Sequence, residues 1–117
     1  MSKILIIEDE ESIRRVLRKV LMEEDSSYNI IEAFDGDQAI EMVKKNKIDL
    51  ILCDIKMPKK DGIEVLNFLI KDYQEIPVIM ISGHGDLETA VESMRLGAFD
   101  YISKPPDLNR LLNSVRG

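Results

Sequence analysis

Several polar side chains in this sequence stand where an apolar run gives out. KILII (3–7) runs into Glu8, Asp9 and Glu10, LILC (50–53) runs into Asp54, VIMI (78–81) runs into Ser82, and DYIS (100–103) runs into Lys104. Carboxylates gathered in one place cannot all stay ionised without a counter-charge. A divalent cation supplies it, and hard oxygen donors suit Mg²⁺, which takes one or two carboxylates and keeps several waters. Lys104 adds a fixed positive charge and Ser82 a hydroxyl donor. Such a set fits a phosphoryl group, with its charge shared by the cation and Lys104 and a third oxygen met by Ser82. Asp54 is then the natural nucleophile, forming an aspartyl phosphate whose reactivity suits a switch better than a store. Plainer roles compete. An acid after a strand commonly caps the next helix, so Asp9 or Glu10 could simply cap the first one. Cys53 reads as a small apolar strand residue. His84 reads as a loop residue near the site, since one histidine makes no metal constellation.

These residues converge only if the chain folds to bring strand ends together. Short apolar runs alternate with amphipathic stretches along the whole length. KILIIE (3–8), YNIIEA (28–33), DLILC (49–53), VIMIS (78–82) and DYIS (100–103) read as strands. Between them, Ile13, Val16, Leu17, Val20 and Leu21 form one helix stripe; Ala39, Ile40 and Val43 a second; Ile63, Leu66, Leu69 and Ile70 a third; Leu87, Ala90, Val91 and Met94 a fourth. Leu108, Leu111, Leu112 and Val115 line a fifth. Asp86 is placed to cap the fourth helix and the glycine of LGAF to end it. The order βαβαβαβαβα predicts an α/β fold: a doubly wound, five-stranded parallel sheet with right-handed crossovers and helices on both faces. Ligands of such sheets bind beyond the carboxyl ends of the strands, at the switch point. If strands one and three are adjacent, Glu8, Asp9 and Asp54 share a pocket.

The composition narrows the function classes. The 117 residues carry 44% hydrophobic and 32% charged side chains, which suits one domain with a genuine core. The net charge of −6, from 22 acidic and 16 basic residues, repels nucleic acid on average. Lys44, Lys45 and Lys47 read as a solvated helix end. Apolar runs are strand-length, too short for a membrane span. Lys3 precedes only four apolar residues before Glu8, unlike a signal peptide. The single Cys53 fits a reducing compartment, so a cytoplasmic location is expected.

Four motifs carry a family resemblance: IIEDE (6–10), LCDIKMPKKDG (52–62), VIMISGH (78–84) and GAFDYISKP (97–105). In this order and spacing the chain resembles, over essentially its whole length, the receiver domain of bacterial two-component response regulators, and the resemblance implies a flavodoxin-like (βα)5 sheet of strand order 2-1-3-4-5. The resemblance implies that Asp9 binds Mg²⁺ directly and Glu8 through water, with Asp54 and the backbone carbonyl of Lys56 completing the protein ligands. It implies that Asp54 is the phosphoacceptor, Lys104 and Ser82 its catalytic partners, and Ser82 and Tyr101 the switch pair. Glu8 stands where the family often has aspartate. The peptide before Pro105 is expected cis, and Pro106 replaces a bulkier residue. In LCDIKMPKKDG, Pro58 stiffens the turn after Asp54 and Gly62 tolerates a tight backbone.

The resemblance also implies partners. A histidine kinase is the phosphodonor, and the chain catalyses only its own phosphotransfer and dephosphorylation. The face of the fourth helix, fifth strand and fifth helix carries the signal to an output domain or into a homodimer. SGHGDLETAVESMRLGAFDYISKP (82–105) looks most like the nitrogen-regulator subclass, so residues 1–117 are expected to form a receiver domain at the front of a longer transcription regulator. Rivals fare worse. A haloacid-dehalogenase-type phosphohydrolase wants a second aspartate two residues after the nucleophile, where this chain has Lys56. A flavodoxin would offer hydroxyls and amides in its first loop, which here is EDEES. A dinucleotide fold needs G-x-G-x-x-G after the first strand, and GHGDLE fails it. The remaining alternative is a receiver-like scaffold that binds partners without phosphorylation.

Overall fold

The computed structural model describes residues 2–55, 61–82, 87–103 and 108–116. Five strand–helix units follow one another: β1 (Lys3–Ile7), α1 (Glu11–Glu24), β2 (Asn29–Ala33), α2 (Gly36–Lys45), β3 (Leu50–Asp54), α3 (Gly62–Asp72), β4 (Val78–Ser82), α4 (Leu87–Leu96), β5 (Asp100–Ser103) and α5 (Leu108–Arg116). The strands form one parallel sheet in the order β2-β1-β3-β4-β5. This is the expected doubly wound topology, and its switch point lies between β1 and β3.

The period-two alternation of each strand divides the core in two. Leu5, Ile7, Ile51, Cys53 and Met80 point to one face, where Ala39 and Val43 of α2 and Val65, Leu66 and Leu69 of α3 cover them. Ile4, Ile6, Leu52, Ile79 and Ile81 point to the other, under Leu17 and Leu21 of α1 and Leu111 of α5. Burial on both faces explains why the strands read as unbroken apolar runs.

Local signals set the helix ends nearest the strand tips. The Asp35 side chain caps α2 by accepting from the Gln38 amide at 2.8 Å. α3 opens on a capping box: Asp61 accepts from the Glu64 amide at 3.0 Å, while Glu64 reaches back to the Asp61 amide. Asp61→Ala removes this cap, so its urea-unfolding free energy is expected to fall by about 1 kcal/mol; an unchanged midpoint would show that the cap contributes nothing net. α4 ends as expected at Gly97, with φ of 115°. Its amide donates to Met94 O and that of Ala98 to Ser93 O, the double closure of a Schellman motif.

Two helix stripes differ from the sequence reading. In α1, Val16 is exposed and the buried positions are Arg14, Leu17 and Leu21. Val16 lies about 100° round the helix from Leu17, at the edge of that stripe. In α4, Ala90 is buried as expected, but Val91 and Met94 are exposed at 50% and 46%, and Ser93 is buried. Ser93 can be buried because its hydroxyl donates to Thr89 O one turn back. Among the described residues no helix is long and apolar enough to cross a membrane.

Candidate functional site

β1 and β3 run side by side with Ile7 paired to Cys53. The next residues along them, Glu8 and Asp54, therefore emerge at the same level. Both are buried, at 1% and 3% exposure. Asp9 and Glu10 follow Glu8 and are exposed. One carboxylate oxygen from each of Glu8, Asp9 and Glu10 lies within 4.8 Å of the others. The backbone holds this acidic turn tightly: the Glu8 amide donates to Ala33 O of β2 at 3.1 Å, and the Glu10 amide donates to Glu8 Oε2 at 3.3 Å.

Helix capping does not account for Glu10. Glu10 occupies the N-cap of α1, yet its side chain makes no capping hydrogen bond. The converging oxygens of Glu8, Asp9 and Glu10, with buried Asp54 level with Glu8 on the neighbouring strand, instead offer oxygen donors suited to a hard divalent cation. The residues present fit Mg²⁺ on that ground.

The β4 strand brings Ser82 towards this point. Asp54 pairs with Ile81 in the β3–β4 register, so Ser82 is one position further along, and Ser82 in turn pairs with Ser103 of β5. The backbone thus carries Ser82 and Ser103 to the same end of the sheet as Asp54. Lys56, His84, Lys104, Pro105 and Pro106 lie outside the described residues, as does Asp86. Tyr101 is half-buried in β5 and lines a groove of about 550 Å³ with Ala90, Val91, Met94, Arg95 and Asp100. Cys53 is fully buried behind the site, where desolvation first, then the charges of Asp54 and Glu8, push its thiol well above the usual range. It is a core residue, as its sequence context suggests.

Gly62 meets Asp54 more closely than a turn alone would require. Its amide donates to Ile55 O at 2.6 Å. A Cβ placed on it would run into Asp54 O and would stand 2.6 Å from Ile55 Cα. The first turn of α3 therefore rests on the end of β3, and Gly62 is required for space.

Arg14 was not apparent as a site neighbour from apolar spacing. Its guanidinium is buried at the base of the acidic turn, where Nη1 donates to Glu8 O at 2.7 Å and Nε to Glu32 Oε1 at 3.1 Å. A usable signal exists: Arg14 shares an i, i+3, i+7 stripe with Leu17 and Leu21, and Glu32 is an acid between apolar residues of β2.

Comparison with known proteins agrees with this architecture. Residues 4–116 match the response regulator receiver domain family. The chain is 39% identical over 111 residues to the nitrogen assimilation regulatory protein NtrX of Azorhizobium caulinodans, covering 93% of this chain and 24% of that protein. It is 37% identical over 114 residues to sporulation initiation phosphotransferase F of Bacillus subtilis, covering 97% of this chain and 90% of that one. The crystal structure of the receiver domain of NtrX from Brucella abortus superposes with a TM-score of 0.90 at 36% identity, covering 97% of this chain and 94% of that one. The chain thus spans about a quarter of the NtrX regulator and nearly all of the shorter relative.

Proposed function

The chain belongs to the response regulator receiver domain family, and from that premise we propose that it is a phosphorylation-dependent signalling switch whose acceptor is Asp54. The observation that carries this reading is the β1–β3 register, which puts buried Asp54 level with buried Glu8 and beside an acidic turn.

A carboxylate oxygen of Asp54 attacks the phosphorus of a phosphohistidine on a partner kinase. A P–O bond forms, the P–N bond breaks, and the imidazole nitrogen leaves. Asp9 and Asp54, the main-chain carbonyl of Lys56 and, through water, Glu8 would hold Mg²⁺. When bound, that ion supplies charge neutralisation to the phosphoryl oxygens. Lys104 offsets a further share of the charge, and the Ser82 hydroxyl donates to an oxygen of the group. Burial of Asp54 lowers the local dielectric, so each of these fixed charges acts more strongly than it would in water.

The readout follows from space. Movement of Ser82 towards the phosphoryl group frees room that the Tyr101 ring takes up, and the face of α4, β5 and α5 changes shape. Val91 and Met94 are exposed apolar side chains on that face. A partner, an output module or a second copy of the chain would cover them. Because the chain spans a fraction of the NtrX length, control of transcription belongs to the longer regulator of which this domain would form the front part. The domain itself, at net charge −6, leaves nucleic acid to that other part and works in the cytoplasm.

The test is the intact mass of the protein after incubation with acetyl phosphate, in Mg²⁺ or in excess chelator. A gain of one phosphoryl group in Mg²⁺ alone is expected. An unmodified mass in both would make the chain a scaffold that works without phosphorylation.

A further inference from the structure

We propose that Arg14 is a positioning residue for the acidic turn: its buried guanidinium holds the main chain at the end of β1 so that Glu8 and Asp9 meet a cation with their directions already set. The proposal rests on the reading of these acids as the Mg²⁺ site.

Burying a guanidinium costs free energy unless its donors and charge are met, and here three elements meet them. Nη1 donates to Glu8 O at 2.7 Å, and Nε donates to Glu32 Oε1 of β2 at 3.1 Å. The Phe34 ring lies under the guanidinium, with Cζ 4.2 Å from its centroid. Glu32 is itself held, since its other oxygen accepts from Arg18 Nη1 at 2.6 Å. Arg14 is also tied along its own helix, its amide donating to Glu10 O at 3.1 Å. The guanidinium therefore has little freedom to move.

What it grips gives the arrangement its meaning. The Glu8 carbonyl and the Asp9 amide belong to one planar peptide unit, so fixing the first fixes the second and sets the direction in which the Asp9 Cα leaves the strand. The other side of Glu8 is fixed by its amide on Ala33 O. Both peptide units around Glu8 are thus pinned, one by the β2 strand and one by Arg14. An arginine needed only to dock α1 on the sheet could take any carbonyl; this one takes the carbonyl between the two acids. Its positive charge also sits beside a cluster of like negative charges, which it offsets.

The experiment is calorimetric titration of the folded protein with Mg²⁺, alongside urea unfolding. Arg14→Met keeps the apolar stem and removes every donor, and its Mg²⁺ dissociation constant is expected to rise ~10-fold. Arg14→Lys restores one donor and the charge without the fork, so it recovers part of the affinity. Glu32→Gln loosens the guanidinium while leaving it in place, and weakens binding in the same direction by less. Leu21→Ala, in the core at the far end of α1, lowers the urea midpoint and leaves Mg²⁺ affinity as in the wild type. Should Arg14→Met not fold, Glu32→Gln and Arg14→Lys carry the comparison. Wild-type affinity in Arg14→Met and Glu32→Gln, with a lowered urea midpoint, would overturn the positioning role and leave the metal site standing. A wild-type protein that takes up no Mg²⁺ would overturn both.

Discussion

Asp54→Asn is expected to abolish uptake of a phosphoryl group from acetyl phosphate, with the rate falling on the order of 10³-fold or more, as losses of a nucleophile do. The amide nitrogen and oxygen offer no anionic attacking atom, and no other acid described here is buried at the same level except Glu8. The substitution is nearly isosteric. It also replaces a buried charge, next to the like charge of Glu8, by a neutral group that costs less to desolvate. The urea midpoint should therefore stay at or above that of the wild type, which separates loss of chemistry from loss of fold. Phosphorylation of Asp54→Asn at the wild-type rate would show that the acceptor lies elsewhere.

Gly62→Ala is expected to destabilise the domain by about 3 kcal/mol or more, the upper range for forced overpacking. In an exposed helix the same change stabilises by up to about 1 kcal/mol, so the sign itself is diagnostic. The added methyl has nowhere to go. Its nearest neighbours are backbone atoms of Asp54 and Ile55, including Ile55 Cα at 2.6 Å, and neither can rotate away as a side chain would. Relief requires α3 to lift from the end of β3. That would strain the hydrogen bond from the Gly62 amide to Ile55 O and disturb the packing of Val65 and Leu66. The same movement shifts the main chain that carries Asp54, so phosphoryl uptake by the surviving folded fraction should also slow. Denaturant unfolding reads the first effect as a lower midpoint at constant m. A midpoint equal to that of the wild type would mean that the close approach of α3 to β3 is not a constraint on the fold.

The two helix stripes misread from sequence share one cause. Apolar spacing locates residues that bury because they are apolar, and parallel strands covered on both faces are the clearest case; VIMIS coincides with β4. Arg14 and Ser93 bury because their polar atoms find partners, Arg14 across three elements and Ser93 within its own helix. Such burial depends on contacts distant in sequence or on local hydrogen bonding, which an apolar stripe does not encode. Val16, Val91 and Met94 lie on the exposed sides of the same helices. The need for Gly62 was legible as a turn signal, but its reason was not: the limit is the space left by Asp54 and Ile55, a property of how α3 meets β3. The placing of Glu8 and Asp54 was legible because each directly follows an apolar run, and the pairing of β1 with β3 then sets the two level.

If Asp54 accepts the phosphoryl group in a reaction that needs the neighbouring acids and a metal, the modified residue must be Asp54 and must form only with the metal present. Borohydride reduction of the acetyl phosphate-treated protein, followed by peptide mass analysis, reads both conditions at once, because an aspartyl phosphate is reduced to homoserine. Homoserine is expected at position 54 alone, formed in Mg²⁺ and absent in chelator. Homoserine at Asp9 in place of Asp54, or equal yield at position 54 without metal, would overturn this reading.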